Sequence, residues 1–149
     1  MNIELYKPCY YKQFNEFIET VFAENGITFE REEKHRDLLN IMSVYISFYV
    51  ITDETQKIYG CAGFKLYDYE TKTVEMKRLY LLKCIQGLGY GQSIMRTILE
   101  DAKSQGYQYI RLDTKPQFFK AISLINKNGF YQIARYNNST ATLFFEKRL

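Results

Sequence analysis

This sequence of 149 residues contains only one histidine, His35, and three cysteines. We expect His35 to be solvated, because it lies in the charged stretch EREEKHRD. Nucleophilic catalysis by a Ser–His or Cys–His pair and a metal site built on histidines therefore lack the residues they need, and no metal is expected. Cys9, Cys61 and Cys84 are odd in number and scattered, which argues against a disulfide framework and fits a reducing cytoplasm. Next to a glycine-rich stretch, Cys84 is expected to be a buried structural thiol.

Long apolar runs are absent as well. No segment is apolar over a length that crosses a membrane, and the opening MNIELYKPCY lacks the apolar core of a signal peptide. No run of lysine and arginine forms the dense basic stripe typical of nucleic-acid binding. We therefore expect neither a membrane nor a nucleic acid as partner. The length and the 46% hydrophobic content favour one globular domain over residues 1–149.

The charges are distributed unevenly along the chain. Residues 1–40 carry 8 acidic and 5 basic side chains, whereas residues 41–149 carry 9 acidic and 15 basic ones. One interpretation is a mixed solvated surface. The other is that the later region holds an anionic ligand while the earlier region meets a cationic partner.

Hydrophobic periodicity predicts a mixed α/β domain. The stretches IELY, VYISFYVIT, IYGCAGFKLY, TVEMKRLYLL, YIRLD, FYQIARY and ATLFFEK are β-rich, and DETQK is expected to join the second and third as a hairpin. Helical periodicity is found in YKQFNEFIETVFAEN, in the segment after the glycines and in QFFKAISLINKN, and EREEKHRDLLN is also expected to be helical. The predicted order is β-α-α-β-β-β-α-β-α-β-β.

The stretch CIQGLGYGQS at 84–93 concentrates three of the eight glycines, Gly87, Gly89 and Gly91, at a strand-to-helix junction. A P-loop is excluded because Gln92 stands where its second glycine is needed. A dinucleotide fingerprint also fails, since Gln92 or Ile94 replaces its third glycine. Asp113 does follow at the distance of a ribose-binding acid, but the loop comes after four predicted strands instead of opening the fold.

What remains is Q-x-x-G-x-G, formed by Gln86, Gly89 and Gly91. It resembles the (Q/R)-x-x-G-x-(G/A) motif of the GCN5-related N-acetyltransferase (GNAT) superfamily. The stretches GCAGF, EMKRLYLL, RLDT and NGF also occur in that family's order and spacing. The resemblance implies a single-domain GNAT fold, a mixed α/β (α+β) architecture. Its central sheet is mixed, mostly antiparallel and twisted, with about seven strands flanked by about four helices.

The resemblance also implies acetyl-CoA as cosubstrate. Bare amides of a glycine-rich turn and the positive end of a helix dipole suit a pyrophosphate. In the family the preceding strand separates from its neighbour, and its main chain contacts the pantetheine arm. The cofactor-binding residues implied in this way are Leu79, Leu81, Gln86, Gly87, Leu88, Gly89, Tyr90, Gly91, Gln92 and Asn126.

Acetyl transfer needs a neutral amine, a donor for the developing oxyanion and a proton for the departing thiolate. Glu75 matches the strand glutamate that serves some members as general base, and by alternation we expect it to share a strand face with Leu79 and Leu81. The alternative role for Glu75 is a salt bridge to Lys77 or Arg78. The resemblance assigns the oxyanion contact to the backbone amide of Leu81.

At the position that supplies the thiolate's proton in many family members, this sequence departs from the family pattern. Ile125 stands where many members have a tyrosine, and Phe118 where many have an asparagine that contacts the cofactor. Asn126 and Asn128 are candidates to replace those polar contacts. Water, or a tyrosine from elsewhere, is left as the acid; Tyr90, Tyr131 and Tyr136 are near in sequence, and packing is the expected role of each.

These observations lead to an acetyl-CoA-dependent N-acetyltransferase that acts on a primary amine by direct attack in a ternary complex. The alternative is a CoA- or acetyl-CoA-binding module with little or no turnover. The acceptor is expected to be a small-molecule or peptide amine, cationic because of the charge distribution, with Glu30, Glu32, Glu33 and Asp37 as the acidic cluster that meets it. A homodimer is compatible with the sequence.

Overall fold

The computed structural model describes residues 1–149 and contains one sheet of seven strands in the order β1-β2-β3-β4-β5-β7-β6. All neighbouring strands are antiparallel except β4 and β5, which are parallel. The strands are β1 (Asn2–Leu5), β2 (Ser47–Thr52), β3 (Ile58–Asp68), β4 (Thr73–Leu81), β5 (Tyr109–Thr114), β6 (Tyr131–Ile133) and β7 (Leu143–Arg148). This architecture confirms the predicted mixed, mostly antiparallel seven-stranded fold.

Four α-helices accompany the sheet, namely α1 (Tyr11–Glu24), α2 (Ile41–Val44), α3 (Tyr90–Ser104) and α4 (Phe119–Lys127). The charged segment that was expected to be helical forms turns followed by a short 3-10 helix, Arg36–Leu39. None of the helices combines the length and the apolar composition that crossing a bilayer requires.

The sheet is covered on both faces, as the apolar alternation along β2 illustrates. Ile51 belongs to a core cluster on the face covered by α3 and α4, whereas its neighbour Val50 belongs to a second cluster on the face covered by α1 and α2. Successive residues of a strand point to opposite faces, so one strand contributes to both cores. We call these faces the α3 face and the α1 face.

Strands β4 and β5 separate after a short paired section. They pair only through Thr73, Val74 and Glu75 of β4, although β4 continues to Leu81. Strand β5 also continues to Thr114, and along its whole length it pairs with β7 on its other side. A wedge-shaped opening therefore lies between residues 76–81 and 112–114, and we call it the fork.

A β-bulge interrupts the open half of β4. Lys77 lies opposite Gly63 and Tyr80 opposite Cys61, so two residues of β4, Arg78 and Leu79, share the space opposite one residue of β3. Arg78 adopts φ +62°, in the left-handed region that residues with a Cβ seldom occupy. A bulge of this kind shifts the alternation of the strand by one residue.

The bulge overturns one sequence-based expectation. Val74 and Met76 lie in the α3-face core, and beyond the bulge Leu79 and Leu81 pack against the same core. The side chain of Glu75 therefore points to the α1 face and does not share a face with Leu79 and Leu81. Simple alternation failed because nothing in the letters EMKRLYL marks the extra residue.

Candidate active site

The glycine loop, residues 86–92, leads from β4 into α3. Gly89 is the N-cap of α3 with φ +90°, and Gly87 has φ +77°. A Cβ built at either position would meet nothing within 4 Å, so the conformation of the backbone, and not lack of space, requires glycine there. At Gly91 φ is not positive, and an added Cβ would lie an ordinary 3.5 Å from the Leu124 Cδ2 atom.

The backbone N–H groups of residues 87–92 donate to no acceptor within the chain. The first intrahelical hydrogen bond here runs from the Ser93 N–H to the Gly89 carbonyl oxygen. Six consecutive unpaired donors at the N-terminus of a 15-residue helix form a concentration of positive partial charge. This is the arrangement that binds phosphate groups in many proteins.

The two glutamines of the loop connect it to the surrounding elements. The Gln86 amide donates to the Leu81 carbonyl oxygen at 3.0 Å and accepts from Lys120 Nζ at 3.2 Å, which brings a cation of α4 to the loop. The Gln92 amide exchanges hydrogen bonds with Asn128 at 2.9 and 3.0 Å. Asn128 is therefore occupied, whereas Asn126 is exposed with no side-chain partner.

The remaining predicted cofactor residues lie around the fork and the loop. Leu88 is exposed, and Tyr90 packs against the α3-face core. Leu79 lies in the bulge. The Leu82 N–H donates to β3 at Tyr59, so the preceding N–H of Leu81 points to the opposite edge, which borders the fork. The structure thus brings the predicted backbone groups together, although the side chains of Tyr90 and Gln92 serve packing and helix contacts.

Glu75 lies at the vertex of the fork, in the last residue pair that joins β4 to β5, and it is 5% exposed. Its Oε2 atom accepts hydrogen bonds from the Tyr136 hydroxyl at 2.8 Å and from Asn137 Nδ2 at 3.1 Å. Its Oε1 atom lies 3.7 Å from Lys77 Nζ and 4.0 Å from Lys65 Nζ. One carboxylate oxygen is thus held by neutral donors and the other faces the two lysines.

The segment between β6 and β7 closes the vertex on the α1 face. Asn137 Nδ2 also donates to Asp113 Oδ2 at 2.7 Å, and Ser139 Oγ donates to the same oxygen at 2.8 Å. Asn137 therefore bridges a carboxylate of β4 to one of β5 at the place where the strands separate. The sequence did not assign Asn137 or Ser139 to the site, because their contacts connect positions 24 to 62 residues apart. The polar run NNST between two strands is the one signal that was available.

Arg78 pairs with Asp37 and not with Glu75, the partner that the sequence suggested for it. Its Nε and Nη2 atoms donate to the two carboxylate oxygens of Asp37 at 2.9 and 2.7 Å, and Nη2 also donates to the Lys34 carbonyl oxygen at 2.7 Å. The Tyr45 hydroxyl donates to Asp37 as well. Burial alone would raise the pKa of Asp37, but the hydrogen bonds and charge of Arg78 lower it below its usual value. Asp37 is thus engaged internally, unlike the exposed Glu30, Glu32 and Glu33.

His35 and Cys84 differ from the sequence-based expectations. The imidazole of His35 is 2% exposed, its Nδ1 accepts from the Glu30 N–H at 3.0 Å, and Phe22 and Phe29 pack against it. Burial lowers the pKa of His35. Cys84 is exposed, and Cys61 is the buried thiol, in contact with the Arg78 carbonyl oxygen. Both expectations were based on local composition. For His35 this failed because its charged neighbours point outward while its ring packs inward.

Ile125, at the position of the family's tyrosine, is 3% exposed within the α3-face core. Of the nearby tyrosines, Tyr131 donates to Glu146 and Tyr136 donates to Glu75, so only Tyr136 has its hydroxyl at the vertex of the fork. Phe118, at the family's asparagine position, precedes α4 and is exposed. No three His, Cys, Asp or Glu side chains are grouped so as to hold a metal ion.

Comparison with known proteins identifies the family of this chain. Residues 3–130 match the model of the acetyltransferase (GNAT) family. An uncharacterised N-acetyltransferase of Dictyostelium discoideum is 35% identical over 81 residues, which is 52% of this chain and 38% of that protein. The chain thus aligns with well under half of that relative's length.

Solved structures share the fold over the whole chain. An acetyltransferase of the GNAT family from Staphylococcus aureus Mu50 superposes with a TM-score of 0.88 at 24% identity, covering 99% of this chain and 98% of its own. PaiA N-acetyltransferase from Thermoplasma acidophilum, solved in complex with coenzyme A, gives a TM-score of 0.75 at 20% identity over all of both chains.

Proposed function

Because this chain belongs to the GNAT family of acetyltransferases, we propose that it transfers the acetyl group of acetyl-CoA to a primary amine by direct attack in a ternary complex. One observation carries the proposal. Six unpaired backbone N–H groups border a strand fork that has a buried carboxylate at its vertex. The first feature suits the anionic cofactor and the second suits an amine, and the fork connects them.

The residues present fit coenzyme A. The N–H groups of residues 87–92 would bind the pyrophosphate, and Lys120, held beside Gln86, adds a positive charge. The edge of β4 would receive the pantetheine arm along the fork. When bound, acetyl-CoA supplies an activated acetyl thioester. Asn126, exposed on α4, is the asparagine available for a further contact.

On the α1 face, Glu75 would accept a proton from the acceptor amine. The two neutral donors on Oε2 fix the orientation of its carboxylate, which leaves Oε1 as the oxygen directed at incoming cations. The backbone N–H of Leu81 would donate to the acetyl carbonyl oxygen as charge develops there. Lys77, near Oε1, would have to share or leave that position when a cationic acceptor binds.

A second candidate function is a CoA-binding module with little turnover. Ile125 favours it, because an aliphatic side chain buried in the core donates no proton to a departing thiolate. Tyr136 is the hydroxyl at the vertex, and it already donates to Glu75. An enzyme built in this way would rely on water for that proton.

Thiol release from acetyl-CoA, measured with a panel of amines, separates the two functions. The proposed function predicts release only when a primary amine is present, with one N-acetylated product per thiol by mass spectrometry. The matched comparison is the Glu75→Gln variant, which should still bind acetyl-CoA. A wild-type protein that is stabilised by acetyl-CoA but releases no thiol with any amine would establish the binding module instead.

A further inference from the structure

Arg78 combines a costly backbone conformation with an unusually well-satisfied side chain. It is one of three residues other than glycine with positive φ in the chain, the others being Gln56 and Lys72. A left-handed conformation costs a residue with a Cβ about 1 kcal/mol or more, so glycine would suit this backbone better. The presence of arginine therefore calls for an explanation from its side chain.

The guanidinium connects the bulge to a distant part of the chain. Its two hydrogen bonds to the Asp37 carboxylate form a bidentate pair, the strongest geometry for such contacts, and both side chains are about 15% exposed. The third bond, to the Lys34 carbonyl oxygen, fixes the backbone one turn earlier. All these partners belong to residues 25–46, the connection between α1 and β2, which we call the acceptor-side segment.

The acceptor-side segment contains little regular secondary structure, and it is attached to the core through a few buried side chains. It consists of turns, the four-residue 3-10 helix and the four-residue α2, and its buried anchors are His35, Leu38, Ile41 and Tyr45. Tyr45 also binds Asp37, so the ion pair lies at the junction of the segment's interior and β4. At the other end of the connection, Glu24, the last residue of α1, accepts a separate hydrogen bond from the Lys83 N–H.

We propose that Arg78 is a positioning residue that fixes the acceptor-side segment to the open half of β4, so that this segment forms a rigid wall of the amine site. The role of that wall in amine binding rests on the proposed acetyltransferase function. The attachment of the segment to β4 through Arg78 and Asp37, which we call the tether, does not. The same bulge that lets Arg78 reach Asp37 also turns Leu79 and Leu81 towards the α3 face. The bulge thus determines both the orientation of the β4 residues along the fork and the position of the acceptor-side segment.

An ion pair that only stabilised the fold would behave differently. Its loss would lower the unfolding temperature and leave the kinetics of the remaining folded protein unchanged. A positioning role instead predicts a loss in the acceptor's kcat/KM that appears mainly in KM, with acetyl-CoA binding little affected. The two roles therefore separate in the split between KM and kcat.

Arg78→Gly is the decisive variant, because glycine accepts φ +62° and only the side-chain contacts are lost. Lys72→Gly is its matched control, since Lys72 has φ +53° in the β3–β4 turn and its side chain makes no hydrogen bond. We expect Arg78→Gly to raise acceptor KM by about tenfold, to change acetyl-CoA affinity less than threefold and to speed amide hydrogen exchange over residues 34–38. Lys72→Gly should do none of these, and Arg78→Lys, which restores one contact, should lie between.

A double-mutant cycle with Asp37→Asn completes the test. If the two residues act as a pair, Arg78→Gly combined with Asp37→Asn should be no worse than Arg78→Gly alone. Additive losses, or wild-type exchange over residues 34–38 in a folded Arg78→Gly protein, would overturn the proposal. Should the wild-type protein show no turnover with any amine, the proposed function fails, but the exchange rates of residues 34–38 still decide whether the tether exists.

Discussion

The two sides of the fork differ in the kind of group that they present. On the side of α3, the groups are backbone N–H donors of a glycine loop, with few side chains close by. On the α1 face they are charged side chains, each held by partners from distant segments, as Glu75 is by Tyr136 and Arg78 by Asp37. Backbone amides recognise a phosphate whatever molecule carries it, whereas a network of side chains can be changed one residue at a time.

This difference suggests how the two substrates are accommodated. Backbone N–H groups suit a cofactor that is the same for a whole family. Side chains, which substitutions can exchange, suit an acceptor that differs from one member to another. Substitutions on the α3 side should therefore affect cofactor binding, and those on the α1 face should affect turnover or acceptor KM.

Gly89→Asp should abolish acetyl-CoA binding, because it adds bulk and a negative charge beside the unpaired amides. We expect the dissociation constant to rise at least about 100-fold, or about 2.7 kcal/mol. Gly106→Asp is the control, since Gly106 has the same φ of +90° and the same open surroundings but lies beyond the C-terminus of α3. Calorimetry on both folded variants measures the effect, and equal affinities would show that the loop does not bind the cofactor.

Glu75→Gln should lower kcat by more than about tenfold, a barrier increase above about 1.4 kcal/mol, with little change in acetyl-CoA affinity. The loss should shrink as the pH rises, because more of the amine is then neutral in solution. Asp101→Asn is a suitable control, since Asp101 also accepts a tyrosine hydroxyl, that of Tyr49, but belongs to α3 away from the vertex. A loss that is the same at every pH would point to a structural role for Glu75.

Changing Glu30, Glu32 and Glu33 together to glutamine should raise the KM of a cationic acceptor by a factor of about two to five, because exposed charges act weakly through solvent. The effect should vanish in about 0.5 M salt. The same change at the exposed Glu54, Glu70 and Glu100 provides the control. If acidic amines are the best acceptors, or if KM is unchanged, the expectation of a cationic acceptor is wrong.

The smallest predicted effect concerns the pH dependence of stability. Burial lowers the pKa of His35 in the folded state, so below its unfolded pKa of about 6.5 the unfolded chain binds a proton that the folded chain does not. The free energy of unfolding should therefore decrease as the pH falls from about 7 to 5. In His35→Asn, whose side-chain oxygen can still accept from the Glu30 N–H, urea unfolding should show a flatter profile over this range. Identical slopes would refute the assignment.

The two sides of the fork also differed in how far the sequence revealed them. The glycine loop was predictable, because backbone binding demands particular residues close together in the chain. The arrangement around Glu75 was only partly predictable. Its position on β4 was clear, but its hydrogen-bond donors Tyr136 and Asn137 come from a segment more than 60 residues away.

The bulge at Arg78 had no sequence signal, since arginine is not the residue that a left-handed conformation favours. It reversed the face assigned to Glu75 relative to Leu79 and Leu81. The same limitation applied to His35 and Cys84, whose burial depends on contacts that local composition does not report.

A crystal structure of the complex with acetyl-CoA would show directly where the cofactor lies. We expect pyrophosphate oxygens within hydrogen-bonding distance of several N–H groups of residues 87–92, and the thioester in the fork beside the Leu81 N–H, with Glu75 on the opposite side. Cofactor bound elsewhere, with the fork and the glycine loop free of it, would show that neither of them is the acetyl-CoA site.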